Sequence, residues 1–320
     1  MHLNEVAEGL EPRDMTGLEE FASLLQSAAD LGLPHSRAVG YRSANTVIRH
    51  QRFHFLEWGE RGRQPVLLLH GGNQSAHSWD LVSLHLADRY HVFALDHRGH
   101  GDSEWSRDCD YSAEAMASDV EAFLRDRDVE RPIVFGHSMG GMVTLLLARL
   151  HPELARALVV VDVGPEVGES GTRAIREFVS HNVEFDDLGV FVDHVEKYDP
   201  FRSRAHIERS ARYNLLRRVD GKYVSKHDRR RYSPEPASGA QLARVTLDDM
   251  RRVPCPTLVV HGAQSAVLEP DAAQRFAAAL PHGHLVTVPD CGHNVHTQNT
   301  PGFLAAIAPF LAELEKSRAG

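Results

Sequence analysis

The sequence lacks most of the features that would assign a chain to a class at once. It holds three cysteines in 320 residues, Cys109, Cys255 and Cys291. An odd count without C-x-x-C spacing argues against a disulfide framework and fits a reducing compartment, so a cytoplasmic protein is expected. No stretch approaches about eighteen uninterrupted apolar residues. The N-terminus, MHLNEVAEGLEPRDMTGLEE, is acidic and has no apolar signal core. Neither membrane association nor cleavable export is expected. Basic residues are in deficit, 35 Lys and Arg against 44 Asp and Glu for a net charge of -9, which removes the electrostatic footprint of a nucleic-acid binder. Histidine is abundant, with 21 copies, but its spacing does not suit a metal. His282 and His284 flank one glycine and His293 and His296 stand three apart, with no C-x-x-C or H-E-x-x-H beside them. No metal site is expected.

What is present is alternation. Short apolar runs recur as PVLLLH (65–70), HVFALD (91–96), PIVFGH (132–137), ALVVVDVG (157–164), PTLVVHG (256–262) and HLVTVPD (284–290). Continuous runs of this kind suit strands covered on both faces. Between them stand segments with helical spacing, SWDLVSLHLAD, SAEAMASDVEAFLRD, MVTLLLARL, DAAQRFAAAL and PGFLAAIAPFLAELEK. The pattern predicts a mostly parallel sheet wrapped by helices. TVIRHQ and RFHFLEWG, ahead of the first parallel strand, read as an antiparallel pair at the sheet edge.

Two segments break the pattern. Residues 1–42 contain GLEEFASLLQSAADLGL and read as an N-terminal helical extension. About ninety residues separate Gly164 from Pro256, where an ordinary connection takes about two to six. RAIREFVSHNV, LGVFVDHVEKY and AHIERSARYNLLRR inside that span have helical spacing, so residues 165–245 are expected to form a helical cap over a core of 43–164 and 246–320. Its aromatic residues Phe178, Phe185, Phe191, Phe201, Tyr213 and Tyr223 are candidates for a pocket lining, although most are expected to pack the cap onto the core. Its basic run KHDRRRY reads first as a solvated surface.

Three loops carry candidate chemistry. Gly136-His137-Ser138-Met139-Gly140 follows a strand and opens a helix, a sharp turn that lifts a serine hydroxyl above the sheet while the glycines allow close backbone approach. His70-Gly71-Gly72-Asn73 ends another strand. The N–H of Gly72, or a neighbour one residue away, together with that of Met139 at the positive end of the helix, would hold an oxyanion. His293 lies in DCGHNVH after the last strand, where it is placed to serve as general base, and the helix beyond is expected to open with Thr300 as cap and Pro301 at its first position.

With HGG, DHRGHGDS (96–103), GHSMGG, PTLVVHG and DCGH in this order, the chain resembles the α/β-hydrolase fold family with a serine nucleophile from about residue 45 to 317. The resemblance implies an α/β fold with a mostly parallel eight-stranded sheet and a cap inserted after the sixth strand. It also implies a small-molecule substrate with a carbonyl group, and chemistry that needs no metal or organic cofactor. The branches of this family that use aspartate as nucleophile, dehalogenases and epoxide hydrolases, do not match Ser138. Hydrolysis of a small ester or lactone through an acyl-enzyme is the first expectation. Carbon–carbon bond hydrolysis, cofactor-free oxygenation and a degenerate ligand-binding receptor are the alternatives. Asp96, Arg98 and Ser103 are read as a structural loop.

One position departs from the pattern. Many members carry an aspartate after the LVVHG strand, close to Ala266 of this chain, which reads HGAQSAVLEPD there. A histidine base without its carboxylate loses on the order of 10⁴-fold in turnover. Asp162, 24 residues after Ser138 at the end of the next strand, is the first candidate acid. Some relatives place theirs on that strand end. Glu166 is the alternative, Glu269 and Asp271 are assigned to a helix start, and Asp290 to a turn cap. A chain with no acid, or one altered at 266, is the remaining reading.

Overall fold

A computed structural model describes residues 17–35, 40–181, 184–232 and 245–319. The rest of the expected N-terminal extension, 1–16 and 36–39, lies outside the described residues, as do 182–183 and 233–244 of the expected cap. Eight strands form one sheet: β1 (Tyr41–Ile48), β2 (Gln51–Trp58), β3 (Gln64–Leu69), β4 (Tyr90–Leu95), β5 (Ile133–His137), β6 (Ala157–Val161), β10 (Thr257–Gly262) and β11 (Gly283–Val288). Their spatial order is β1-β2-β4-β3-β5-β6-β10-β11. β1 pairs antiparallel with β2, and β2 antiparallel with β4; the remaining neighbours run parallel.

The continuous apolar runs have a direct structural reason. Successive side chains of a strand point to opposite faces. Leu67, Leu69, Val134, Leu158 and Val160 enter one hydrophobic cluster, while Val66, Leu68, Ile133, Phe135, Val159 and Val161 enter the other. Helices α3 (Ala113–Asp126), α4 (Met139–Leu150) and α9 (Pro270–Ala279) cover the first face. α1 (Gly17–Asp30), α2 (Asp80–Leu86) and α11 (Thr300–Ala319) cover the second. Each Val or Leu so enclosed contributes roughly 1.5–3 kcal/mol of burial.

Several expectations need correction. The first strand starts at Tyr41 rather than Thr46, and Arg49 and His50, read as strand, both have positive φ and form the tight turn into β2. The last helix is capped by Asn299, whose Oδ1 accepts from the Gly302 N–H at 2.9 Å, while Thr300 turns its hydroxyl back to the His296 carbonyl. The insertion after β6 is not purely helical. Besides α5 (Glu169–His181), α6 (Leu188–Tyr198) and α7 (Arg204–Asn214) it holds a small antiparallel sheet of β7 (Glu184–Phe185), β9 (Tyr223–Ser225) and β8 (Leu215–Arg217).

Charged contacts dock this insertion on the core. Arg209 of α7 donates to the buried Asp80 at 2.8 Å. The basic run is not a free solvated face, because Lys226 Nζ pairs with Asp102 at 2.7 Å and the buried Asp228 is held by Tyr111 and Arg230. α1 packs against both α2 and α7, so the N-terminal helix touches core and insertion together. Within 96–103, Asp96 accepts from the N–H groups of Ala76 and Asp102 and from His54, which makes this loop a buried brace. No helix among the described residues is long and apolar enough to cross a membrane.

Candidate active site

The turn after β5 is forced by its neighbours. A side chain at Gly136 would meet Thr144 Oγ1 at 2.3 Å and the Gly140 carbonyl at 2.4 Å. One at Gly140 would meet the carbonyl of Leu69 at 2.4 Å. With both positions bare, α4 packs tightly against β3 and the residue between them is driven to φ 52, ψ -115. That residue is Ser138, whose N–H is anchored on the Val161 carbonyl at 3.1 Å. Backbone strain of this kind persists only where the surroundings over-determine it.

Three side chains from three strand ends form a hydrogen-bonded series. His293, in the loop between β11 and α10 (Val295–Gln298), brings Nε2 to 2.9 Å from Ser138 Oγ and Nδ1 to 2.8 Å from Asp162 Oδ2. A carboxylate oxygen only accepts, so Nδ1 carries the ring proton and Nε2 is left to receive one. Asp162 is fully buried, follows β6 at φ 53 and donates its N–H to the Val260 carbonyl at 2.8 Å. Its Oδ1 accepts from the Gly262 N–H at 2.9 Å, and its Oδ2 from the Ser265 hydroxyl as well as from His293.

The loop around Ala266 therefore supplies a hydroxyl and an amide to the carboxylate. Ser265 Oγ also accepts from the N–H of Val267 at 3.1 Å, which fixes the turn. The Ala266 carbonyl packs against Gly168 and Gly171 of the insertion. Glu166 is not on the histidine: it pairs with Arg275 at 2.8 Å, both side chains about half exposed. Glu269 stands at the N-cap position of α9, Asp271 lies in its first turn, and Asp290 sits in an exposed turn with φ 53.

A further set of residues ties the loops together, and sequence reasoning missed it. Gln74 Oε1 accepts from the Gly71 N–H at 2.9 Å, and its amide donates to Asn294 Oδ1 at 3.0 Å. This commits the Gly71 N–H and leaves Gly72 as the glycine of that loop facing the cavity. His137 Nε2 donates to the His293 carbonyl at 2.9 Å. Gln298 accepts from the Gly292 N–H at 2.7 Å and donates to Asp199 of the insertion at 2.9 Å. These partners lie up to 220 residues apart, so no local spacing announces them. Burial, with help from neighbouring His296, pushes the His137 pKa well below its ordinary value; burial and Arg202 do the same to His296. Both rings are neutral at pH 7, and His137 has its donor already engaged.

Ser138, His293, Gly72 and Met139 line a cavity of about 980 Å³ between core and insertion. Its other walls include Met142, Val163, Phe178, Phe191, Val195 and Tyr198. Phe185, by contrast, is buried against Phe191, and Tyr213 stacks on His77 at 3.6 Å between ring centres. Among the described residues one trio of possible metal ligands converges, His54, Asp96 and Asp102. Hydrogen bonds within the brace loop and the Lys226 ammonium already occupy it.

Comparison with known proteins places this arrangement in context. The chain is 28% identical over 310 residues to the esterase Rv0045c of Mycobacterium tuberculosis, covering 93% of this chain and 97% of that protein. The crystal structure of that esterase superposes with a TM-score of 0.72 at 26% identity, over 91% of this chain and 98% of the other. A 2-(acetamidomethylene)succinate hydrolase of Mesorhizobium japonicum is 27% identical over 295 residues, 90% of this chain and 99% of that one. A solved structure of an E-2-(acetamidomethylene)succinate hydrolase, at 24% identity, shares the fold with a TM-score of 0.76 over 85% of this chain and 100% of the other. The family model for the alpha/beta hydrolase fold matches residues 64–300. The eight-stranded sheet, the serine turn between β5 and α4 and this match agree: the chain belongs to the alpha/beta hydrolase fold family.

Proposed function

We propose that this protein is a serine hydrolase that cleaves a small carboxylic ester or lactone through an acyl-enzyme. The observation that carries the reading is the series Ser138 Oγ, His293 Nε2 and Nδ1, and Asp162 Oδ2, with links of 2.9 and 2.8 Å at the edge of a large apolar cavity. Ser138 attacks the carbonyl carbon as His293 Nε2 takes the hydroxyl proton. The N–H groups of Gly72 and Met139 receive the developing oxyanion. Asp162 holds the ring tautomer and balances the imidazolium. Collapse expels the alcohol, protonated by His293, and water attacking the acyl carbon by the reverse proton path releases the acid and restores Ser138.

In this reading residues 165–245 form the cap and set the size and polarity of what enters. The names of the relatives span an esterase and a succinate-derivative hydrolase, which supports hydrolysis more firmly than any one bond. A serine-directed phosphonate should label wild type at Ser138 and leave Ser138→Ala unlabelled, with ester turnover lost in the variant. Turnover that persists in Ser138→Ala would overturn the nucleophile and favour chemistry run by His293 alone.

A further inference from the structure

Among the described residues, the charged groups that border the cavity differ in how fully their partners use them. Glu166 pairs with Arg275, and Asp248 with Arg251. His206 is driven to about 3 by burial and by Arg202 and Arg209, so it is neutral at pH 7. Arg202, in the turn ahead of α7, differs. Its side chain is 13% exposed and lines the cavity. It meets Asp199 only through Nε, at 2.8 Å, and its Nη1 makes a long contact of 3.4 Å to Ser210 Oγ.

Arg98, buried in the core, shows a guanidinium used on all sides, whereas the buried Arg209 of α7 meets Asp80 through Nη1. Arg98 grips Asp119 with two parallel bonds, Nε at 2.5 Å and Nη2 at 2.7 Å, and spends Nη1 on the Asp110 carbonyl. Asp199 divides its oxygens, Oδ2 accepting from Arg202 Nε and Oδ1 from Gln298. The guanidinium of this cavity-lining residue is thereby anchored through Nε, with one long contact from Nη1. A planar fork of donors in a mostly apolar chamber matches a carboxylate, which accepts two parallel bonds. His206, Ser210 and Asn214 stand along α7 at four-residue spacing and line the same cavity, as do the apolar Phe178 and Val195.

We propose that Arg202 recognises a substrate carboxylate, so that the preferred ester carries a second, anionic carboxylate remote from the bond that is cut. This deepens the hydrolase reading above and rests on it for the reaction, though not for the binding. The test compares the mono-4-nitrophenyl ester of adipic acid with 4-nitrophenyl hexanoate, equal in chain length and differing in the terminal charge. Wild type should favour the adipate ester in kcat/KM by at least tenfold. Arg202→Met should cut that ratio at least tenfold, through KM, and Arg202→Lys should keep part of it. A ratio within twofold of wild type in Arg202→Met would overturn the assignment, and because it is a ratio a general loss of folding does not imitate the effect.

Calorimetric binding of adipate to Ser138→Ala, with and without Arg202→Met, separates the two readings. Adipate binding that weakens at least tenfold with the arginine change supports the subsite even if neither ester is turned over, in which case the hydrolase reading fails alone. Adipate binding unaffected by the change, with both esters still cleaved in the wild-type ratio, sinks the subsite and leaves the hydrolase.

Discussion

At the scale of single residues, the question is how a member of this family does without a carboxylate at 266. In the proposed mechanism the acid comes from the neighbouring strand end: Asp162 lies 2.8 Å from His293 and accepts two further donors, the N–H of Gly262 at the end of β10 and the hydroxyl of Ser265 in the loop that holds Ala266. Asp162→Asn keeps the shape but presents an amide to Nδ1, favouring the wrong tautomer. Ester kcat should fall by about 10³–10⁴-fold with KM little changed. Ser265→Ala removes one of three donors to the carboxylate and should cost on the order of tenfold, since a bond to a charged group is worth roughly 1.5–3 kcal/mol. Ala266→Asp should give no gain in kcat/KM. A rise of an order of magnitude or more in that variant would show that the acid at 162 is not the one in use.

At the scale of elements, the docking of α7 turns on one ion pair. Arg209 and Asp80 have side chains 3% and 2% exposed, and Asp80 also accepts from His77 at 3.0 Å. Burial alone would raise the Asp80 pKa, but the charges of His77 and Arg209 outweigh it and hold the carboxyl below its ordinary range. Arg209→Met leaves that buried charge short of a partner and should destabilise the protein by about 3–5 kcal/mol in urea unfolding. Adding Asp80→Asn should recover part of the loss. If the double variant is as unstable as the sum of the single ones, the pair is not the source of the effect.

Elements of this kind mark the limit of what sequence reveals. The sheet, its helices and the Gly136–Gly140 turn were legible because their signals are local: apolar runs of strand length, helical spacing, glycines at fixed offsets. Asp162 was legible because it ends such a run. The Arg209–Asp80 pair, the small sheet of β7, β8 and β9, and the braces from Gln74 and Gln298 were not. Each joins residues tens to hundreds of positions apart with no pattern of its own, and β7 is only two residues long. KHDRRRY looked like a solvated run for the same reason, since its partners Asp102 and Tyr111 lie more than a hundred residues upstream.

For the whole molecule, the buried histidines set the pH range of stability. Burial, reinforced by Arg202 and Arg209, lowers His206 to about 3, and burial takes His137 and His296 well below their ordinary value. Unfolded, all three titrate near about 6.5. Below that pH the unfolded chain binds protons that the folded one refuses, so their contribution to stability is complete above about 6.5 and declines as pH falls below it, for His206 down to about 3. His54 runs the other way. Although burial opposes its charge, the bond and charge of Asp96 raise its pKa, so its contribution is complete below about 6.5 and fades as pH rises through the folded value. Three groups against one should make the protein lose stability on acidification from pH 7 to 5, before most carboxylates titrate. A histidine that is protonated only when unfolded adds up to about 1.4 kcal/mol per pH unit to the slope of unfolding free energy. Urea midpoints between pH 5 and 6 should therefore show a slope in His206→Gln that is shallower than wild type by about that amount. An unchanged slope would mean that His206 takes up its proton in the folded state, which its burial and the charges of Arg202 and Arg209 argue against.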